Sequence, residues 1–347
     1  MKKPYEVLKE EMKNQGLIQR ELALRTGVSE KHISTVLSGS KSISPSFAKK
    51  LEYVLGISAS YWLSLESDYA LFKIEDAEKN SISEEEYAIF DTIKEVISEL
   101  ENLHQISRGK TLENKILYTR KYLRVSSLCE LDGLKHILTN LLLYKNKMLD
   151  APYLYAFSKL IDVINKKIPK CECEEKRLIL KLFEIKSYMF HDENQILNDI
   201  NYLLNDIGIQ VNVIKDFGRE NQIGMIVKND NQSYSVFVSA KDNYADIFWF
   251  KLFHLLSLIA FNKVEKYYFD YLNSSHDVVR ATSYAKNILL NQFNYRDFIN
   301  EKDFSLKSIS SFSEFNNVCN FIVIGRLKEE GYLDKSSFAR ERIKYHF

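Results

Sequence analysis

Hydrophobic and polar positions follow different spacings in successive parts of the chain. Up to about residue 70, apolar residues recur every three or four positions in short stretches separated by glycines, which predicts a bundle of short helices. The same spacing continues in longer stretches to about residue 205 and predicts an all-helical region. After Asp206 the pattern alternates, with a turn at Asn229–Asn231, and an apolar helix follows at Ala245. A short sheet is therefore predicted before that helix.

These patterns predict a mainly α, multidomain protein with three parts. The first part is a small helical bundle at 1–75, the second a helical linking or regulatory region at 76–202, and the third an α+β region at 203–347. Ser83 stands before three consecutive glutamates, which is typical of a capped helix start. The first boundary is accordingly expected between residues 70 and 82.

Composition excludes several protein classes. The 347 residues carry a net charge of +1, so no global basic excess indicates nucleic acid binding. No apolar run reaches the ~20 residues of a membrane span, and the basic first residues are not followed by the apolar stretch of a secretory signal. The four cysteines are scattered, and Cys171 and Cys173 with His191 lack the spacing of a zinc site. A soluble, cytoplasmic protein with reduced cysteines and no membrane partner is expected.

The N-terminal pattern predicts two short helices joined by a tight turn. Pro4 fits the first turn of a preceding helix, and Gly16 ends it. Gly27 then separates the two short helices, and Ser29 is a good N-cap for the second. The outward face of such a helix fits the DNA major groove. The alternative is a helical bundle that docks proteins.

The stretch from Pro4 to Tyr69 resembles the Xre and lambda-repressor-like helix-turn-helix family. The second half of this stretch, SGSKSISPSFAKKLEYVLGISASYWLSLESDY, resembles the antitoxin branch known as HigA. The resemblance implies base-reading residues on the second short helix and phosphate contacts at the ends of the neighbouring elements. The DNA-contacting residues that it implies are Gln19, Ser29, Glu30, Lys31, Ser34, Thr35, Ser38 and Lys41.

Local charge and symmetry bear on the expected partner. Residues 1–65 contain ten Lys or Arg against six Asp or Glu, so the basic excess lies in the segment that resembles a DNA-binding domain. One such module contacts few phosphates, and specific binding normally uses two half-sites. Double-stranded operator DNA and a homodimer are therefore expected.

The apolar helix contains FWFKLFHLLSLIAF, residues 248–261. Together with the preceding strands it resembles the ImmA/IrrE family of zinc metallopeptidases, and the resemblance covers residues 203–291. It implies a zincin-like α+β domain. The family's H-E-x-x-H motif needs two histidine ligands and a glutamate base on one helix. Its positions fall on His254, Leu255 and Leu258, so two of the three are hydrocarbon.

The third ligand of that family, an acid on a later helix, would fall on Val278 or Arg280, and neither is a carboxylate. We therefore expect no metal, no cofactor and no peptidase activity, with His254 buried or half-buried and hydrogen-bonded. Zinc held by His254, His276 and Asp277 is an alternative, but it would still lack the general base.

Together these features predict a sequence-specific DNA-binding repressor. Its finer assignment is a HigA-like antitoxin or mobile-element regulator, whose C-terminal domain binds a toxin or another protein partner without catalysis. The alternative is an active zinc metallopeptidase fused to a DNA-binding domain.

Overall fold

The computed structural model describes residues 2–134, 150–215, 222–239, 244–261, 264, 267–271 and 276–347. The chain forms two compact units, one of Met1–Ala88 with Arg108–Tyr118 and one of Ile89–Ser107 with Thr119–Phe347. The predicted division into three domains, with boundaries after residues 75 and 202, stays a prediction.

Five helices begin the first unit, and local sequence signals set their ends. Pro4 is the first residue of the first helix, as predicted. Gly27 and Gly56 end the second and fourth helices with φ of 66° and 73°, a conformation that glycine adopts without steric cost. The five helices are α1 (Pro4–Asn14), α2 (Gln19–Thr26), α3 (Glu30–Leu37), α4 (Pro45–Leu55) and α5 (Ala59–Asn80).

A compact core holds α1 to α4 and the start of α5 together. Leu8, Leu22, Ile33, Leu51 and Trp62 are fully buried in it, and each comes from a different helix. Burial of a large apolar side chain contributes ~1.5 to 3 kcal/mol, so this core fixes the orientation of the short helices. The rigid framework leaves one face of α3 to solvent.

Every regular element that the structure describes between residues 70 and 205 is helical, as predicted. Ser83 caps the first of these helices, because its Oγ accepts a hydrogen bond from the Glu86 N–H at 3.2 Å. Two 3₁₀ turns, Leu128–Leu134 and Tyr188–Phe190, interrupt the series. The helices are α6 (Glu84–Asn102), α7 (Leu112–Leu123), α8 (Ala151–Ile164), α9 (Glu175–Ser187) and α10 (Glu193–Asn205).

Four strands form one mixed sheet in the second unit. They are β1 (Ile209–Ile214), β2 (Gln222–Lys228), β3 (Tyr234–Ser239) and β4 (Tyr267–Tyr271), in the order β1-β3-β2-β4. The first strand pairs with β3 in parallel, while β2 is antiparallel to both β3 and β4. The predicted turn lies between β2 and β3, so the predicted short sheet is confirmed, and β4 extends it by a strand that the sequence pattern did not predict.

The predicted apolar helix, α11 (Ala245–Ala260), lies against this sheet. Twelve of its sixteen residues are buried, so it has no solvent-exposed polar face. Helices that follow it complete the core: α12 (His276–Leu289), α13 (Gln292–Glu301), α14 (Leu306–Phe315) and α15 (Asn320–Glu329), with a 3₁₀ turn at Ala339–Glu341.

The predicted architecture is thus confirmed at the level of a mainly helical protein with a small mixed sheet in its C-terminal part. Within the described ranges, no helix has both the length and the apolar character that crossing a bilayer requires.

Candidate functional site

The turn between α2 and α3 is built by two residues with opposite roles. Gly27 ends α2 in the left-handed region, and its N–H bonds to the carbonyl of Ala23. Ser29 then caps α3, because its Oγ accepts from the His32 N–H at 3.2 Å. The predicted N-cap role of Ser29 is confirmed. A cap of this type stabilises a helix by about 1 kcal/mol, which matters for a helix of eight residues.

Burial of one face of α3 defines which side chains point to solvent. Ile33 and Val36 are buried, and the His32 ring packs edge-on against Phe47 with centroids 5.3 Å apart. On the opposite face Glu30, Lys31 and Ser34 are exposed, as the sequence pattern predicts.

The sequence pattern predicts Thr35 to be exposed as well, but the structure places it differently from those three. It is half-buried, and its hydroxyl donates to the carbonyl of His32 at 2.8 Å. This bond consumes the only hydrogen-bond donor of the side chain. Thr35 can therefore present only a methyl group or an acceptor lone pair to a ligand.

The three residues expected to contact phosphate are Gln19, Ser38 and Lys41. They make local hydrogen bonds or are exposed. The Nε2 of Gln19 donates to the carbonyl of Glu30 at 3.1 Å, which ties the start of α2 to the start of α3. Ser38 donates to Thr35 O at 3.0 Å, and Lys41 is exposed. Gln19 keeps one amide hydrogen for an outside acceptor, since its NH₂ group has two.

Arg20 belongs beside this surface, although the sequence pattern did not single it out. Its Nε lies 3.9 Å from the Oε1 of Glu30, and both side chains are exposed. A solvent-exposed pair at that distance is weak, about 0 to 1 kcal/mol, so the guanidinium can exchange partners easily. Its signal in the sequence is its position directly after Gln19 at the start of α2.

In the second unit, α11 places His254 in the interior of the core. The imidazole is fully buried, and its Nδ1 lies 3.2 Å from the Oγ1 of Thr282 on α12. The ring of Phe250 lies one turn away, with centroids 6.0 Å apart. The expectation of a buried, hydrogen-bonded histidine is confirmed.

Leu255 and Leu258 are buried in the same core. A Cβ atom built on Gly224 of β2 would lie 2.7 Å from the Cδ1 of Leu255, so the leucine fills the space that the absent side chain of this glycine leaves. The contact between Leu255 and the sheet is tight and apolar. A cleft open to substrate does not separate α11 from β2 at this point.

A metal site at His254 would need further side-chain ligands. Over the described residues, no three His, Cys, Asp or Glu side chains come together as a metal ion would need. The side chains of His276, Asp277 and Val278 lie outside the described part. Arg280 is exposed, with its guanidinium carbon 4.4 Å from the centroid of the Phe261 ring.

Comparison with known proteins finds a match to part of the N-terminal unit. The segment 8–62, from the second turn of α1 to the first turn of α5, matches a family model described as helix-turn-helix. No curated protein matches the chain. Residues 8–62 are therefore a helix-turn-helix domain of the Xre and lambda-repressor-like type, which is typical of sequence-specific DNA-binding regulators.

Proposed function

We propose that this protein is a transcriptional repressor that binds operator DNA as a homodimer through α3. The observation that carries the proposal is the capped α3, which is buried on one face and presents Glu30, Lys31 and Ser34 on the other. Rigid presentation favours base reading, because a mobile helix would lose entropy on entering the groove.

The side chains on this face suit specific bases. Lys31 can donate to guanine O6 and N7, and Glu30 can accept from cytosine N4. Arg20 lies beside Glu30 and would neutralise part of its charge near the phosphates. The donors that remain on Gln19 and Lys41 suit backbone phosphates, which would set the register of the domain on DNA. Ser38 would reach a phosphate by exchanging the bond that its hydroxyl donates to Thr35 O.

A lysine substitution tests base reading. We expect Lys31→Ala to weaken binding to selected operator DNA by ~1 to 3 kcal/mol, with little loss on random DNA, because a base contact carries discrimination. Gel-shift titrations on both DNAs measure this ratio. Lys13→Ala, which removes an exposed lysine from α1, is the control. Equal losses on both DNAs would mean that Lys31 contacts phosphate only.

For the C-terminal region we propose a non-catalytic, ImmA/IrrE-like domain that binds a protein partner, with the whole chain acting as a HigA-like antitoxin or a mobile-element regulator. The buried Leu255 and Leu258 support the absence of catalysis, since hydrocarbon neither holds zinc nor deprotonates water. Co-purification from the native host tests the partner. Recovery of a small protein encoded in the same transcript is expected for an antitoxin, whereas a chain recovered alone would count against it.

Metal analysis tests the non-catalytic assignment separately. We expect protein purified without chelator to contain far less than one zinc per chain, and His254→Ala to leave that content unchanged. One zinc per chain, lost in His254→Ala, would instead favour the alternative, a zinc metallopeptidase fused to a DNA-binding domain.

A further inference from the structure

The second half of α5 extends beyond the core of the first unit. Trp62 is the only buried residue in this 22-residue helix, all of which the structure describes. From Ala70 to Glu78 every residue is exposed. An isolated helix as short as this exposed stretch of nine residues is marginal in water, because too few hydrogen bonds offset the cost of nucleation. The exposed half therefore calls for a partner that covers one of its faces.

The side chains on the same face of α5 as Trp62 have partners within the first unit. One turn further along that face, Glu66 accepts from the N–H of Ile43 at 2.8 Å. The ring of Tyr69 packs edge-on against Tyr5 at 6.4 Å, and the Nζ of Lys73 lies 4.5 Å from the Tyr69 centroid. This face becomes polar as the helix leaves the core, so it does not account for the exposed apolar residues.

A second face carries an apolar stripe. Ala70, Ile74 and Ala77 recur at intervals of four and three, and Leu71 flanks them. Leu71 is 55% exposed and Ile74 is 56% exposed. This spacing is that of helices that pair along a common seam, and the two alanines let the partner backbone approach closely. The stripe lies beyond residue 62, where the helix-turn-helix match ends.

The charges beside the stripe indicate which partner covers it and in which direction that partner runs. Lys73 and Glu78 flank the stripe on opposite sides and are five residues apart, the separation at which flanking charges meet between two parallel copies of one helix. An antiparallel pair would instead bring the two Lys73 side chains together. Pairing exchanges the contact of Lys73 with Tyr69 for an ion pair with Glu78 of the other copy. Parallel pairing also keeps both α3 helices at the same end of the pair.

We propose that the stripe of Ala70, Leu71, Ile74 and Ala77 on α5 is the homodimer interface, and that a second copy of this chain covers it in parallel. The inference rests on the proposed homodimeric repressor and names the surface that joins its subunits. Two copies joined there would present two recognition helices to neighbouring half-sites of one DNA.

Sedimentation equilibrium of the full chain without DNA tests the interface. We expect a concentration-dependent dimer, and Ile74→Asp should raise its dissociation constant at least about tenfold, because the buried seam would then carry a charge. Phe72→Asp is the matched control. Phe72 is 44% exposed but lies about 160° around the helix from Ile74, so its substitution should leave the dimer intact.

Charge exchange tests the direction of pairing. Lys73→Glu should weaken the dimer by like-charge repulsion with Glu78, and the double variant Lys73→Glu/Glu78→Lys should restore it. Circular dichroism checks that each variant keeps its helices. A monomeric wild type, or a dimer that Ile74→Asp and Phe72→Asp affect equally, would overturn the proposed surface.

DNA binding is measured in a separate experiment. It uses single and paired half-sites that the wild-type protein selects from a random library. Ile74→Asp should retain single half-site binding and lose the added affinity of the paired site. Failure of the wild type to select any sequence would refute the repressor and leave the interface standing. Selection of paired sites by a protein whose dimer survives Ile74→Asp would refute only the interface.

Discussion

Leu255→Glu is expected to unfold the second unit at neutral pH. The change would place a glutamate directly after His254, as in the zinc peptidase motif, but Leu255 is fully buried and its Cδ1 packs on Gly224. A carboxylate there would lose its water without gaining a cation or a donor. We expect a loss of unfolding free energy of about 4 kcal/mol or more, at the high end for single substitutions.

Urea unfolding monitored by tryptophan fluorescence measures this loss, since each unit contains one tryptophan, Trp62 and Trp249. Leu255→Met is the control, because a swap of similar volume costs less than about 1.5 kcal/mol. A Leu255→Glu protein as stable as the wild type would show that a polar group fits there. A folded Leu255→Glu/Leu258→His protein that bound one zinc would likewise show that this part of the core accommodates polar groups.

The elements that local patterns specify were predictable from the sequence. The apolar run of α11 predicts a helix without a solvent face, and α11 is buried on all sides. Ser29 predicts the start of α3, since a cap depends on residues within one turn. The strand β4 was missed because YYFDY is short and is stabilised by its pairing with β2, about forty residues earlier along the chain.

The candidate DNA surface was predictable in outline but not in detail. Helical spacing placed Glu30 and Lys31 outward, as observed. The bond from Gln19 to the Glu30 carbonyl spans eleven residues across a turn, and the ion pair of Arg20 with Glu30 depends on the same crossing. Such contacts follow from the angle between two helices, which packing sets and local pattern does not.

The contacts between the C-terminal residues and α11 could not be predicted from the sequence pattern either. The OH of Tyr345 accepts from the indole N–H of Trp249 at 3.0 Å, and both side chains are buried. The backbone of Ala245 bonds to Ile343 in the same region, and Phe347 packs on Phe248. Ninety-six residues separate Trp249 from Tyr345, so no periodic pattern could indicate that the last residues fasten the start of α11.

A partly buried ion pair also connects the C-terminal residues to the start of α11. The guanidinium of Arg342 lies 3.2 Å from the carboxylate of Asp246 in the first turn of α11, and the two side chains are 23% and 9% exposed. Burial raises the pKa of Asp246 although the guanidinium opposes the shift. The folded carboxyl therefore holds its proton more tightly than the unfolded one, and stability falls as pH rises above the ordinary aspartate pKa of about 3.9.

Arg342→Met is expected to cost about 3 kcal/mol at pH 7, because it leaves the buried carboxylate without its cation. The pKa of Asp246 should then rise further, so the loss should be smaller at pH 5 than at pH 7. Urea unfolding at both pH values measures the difference. Asp246→Asn/Arg342→Met, which removes both charges, should recover most of the loss. Lys94→Met is the matched control, since its pair with Asp91 at 2.8 Å is exposed and should contribute at most about 1 kcal/mol. Equal losses in Arg342→Met and Lys94→Met, or a loss that does not change with pH, would mean that solvent reaches Asp246 and that the other contacts of the C-terminal residues hold α11.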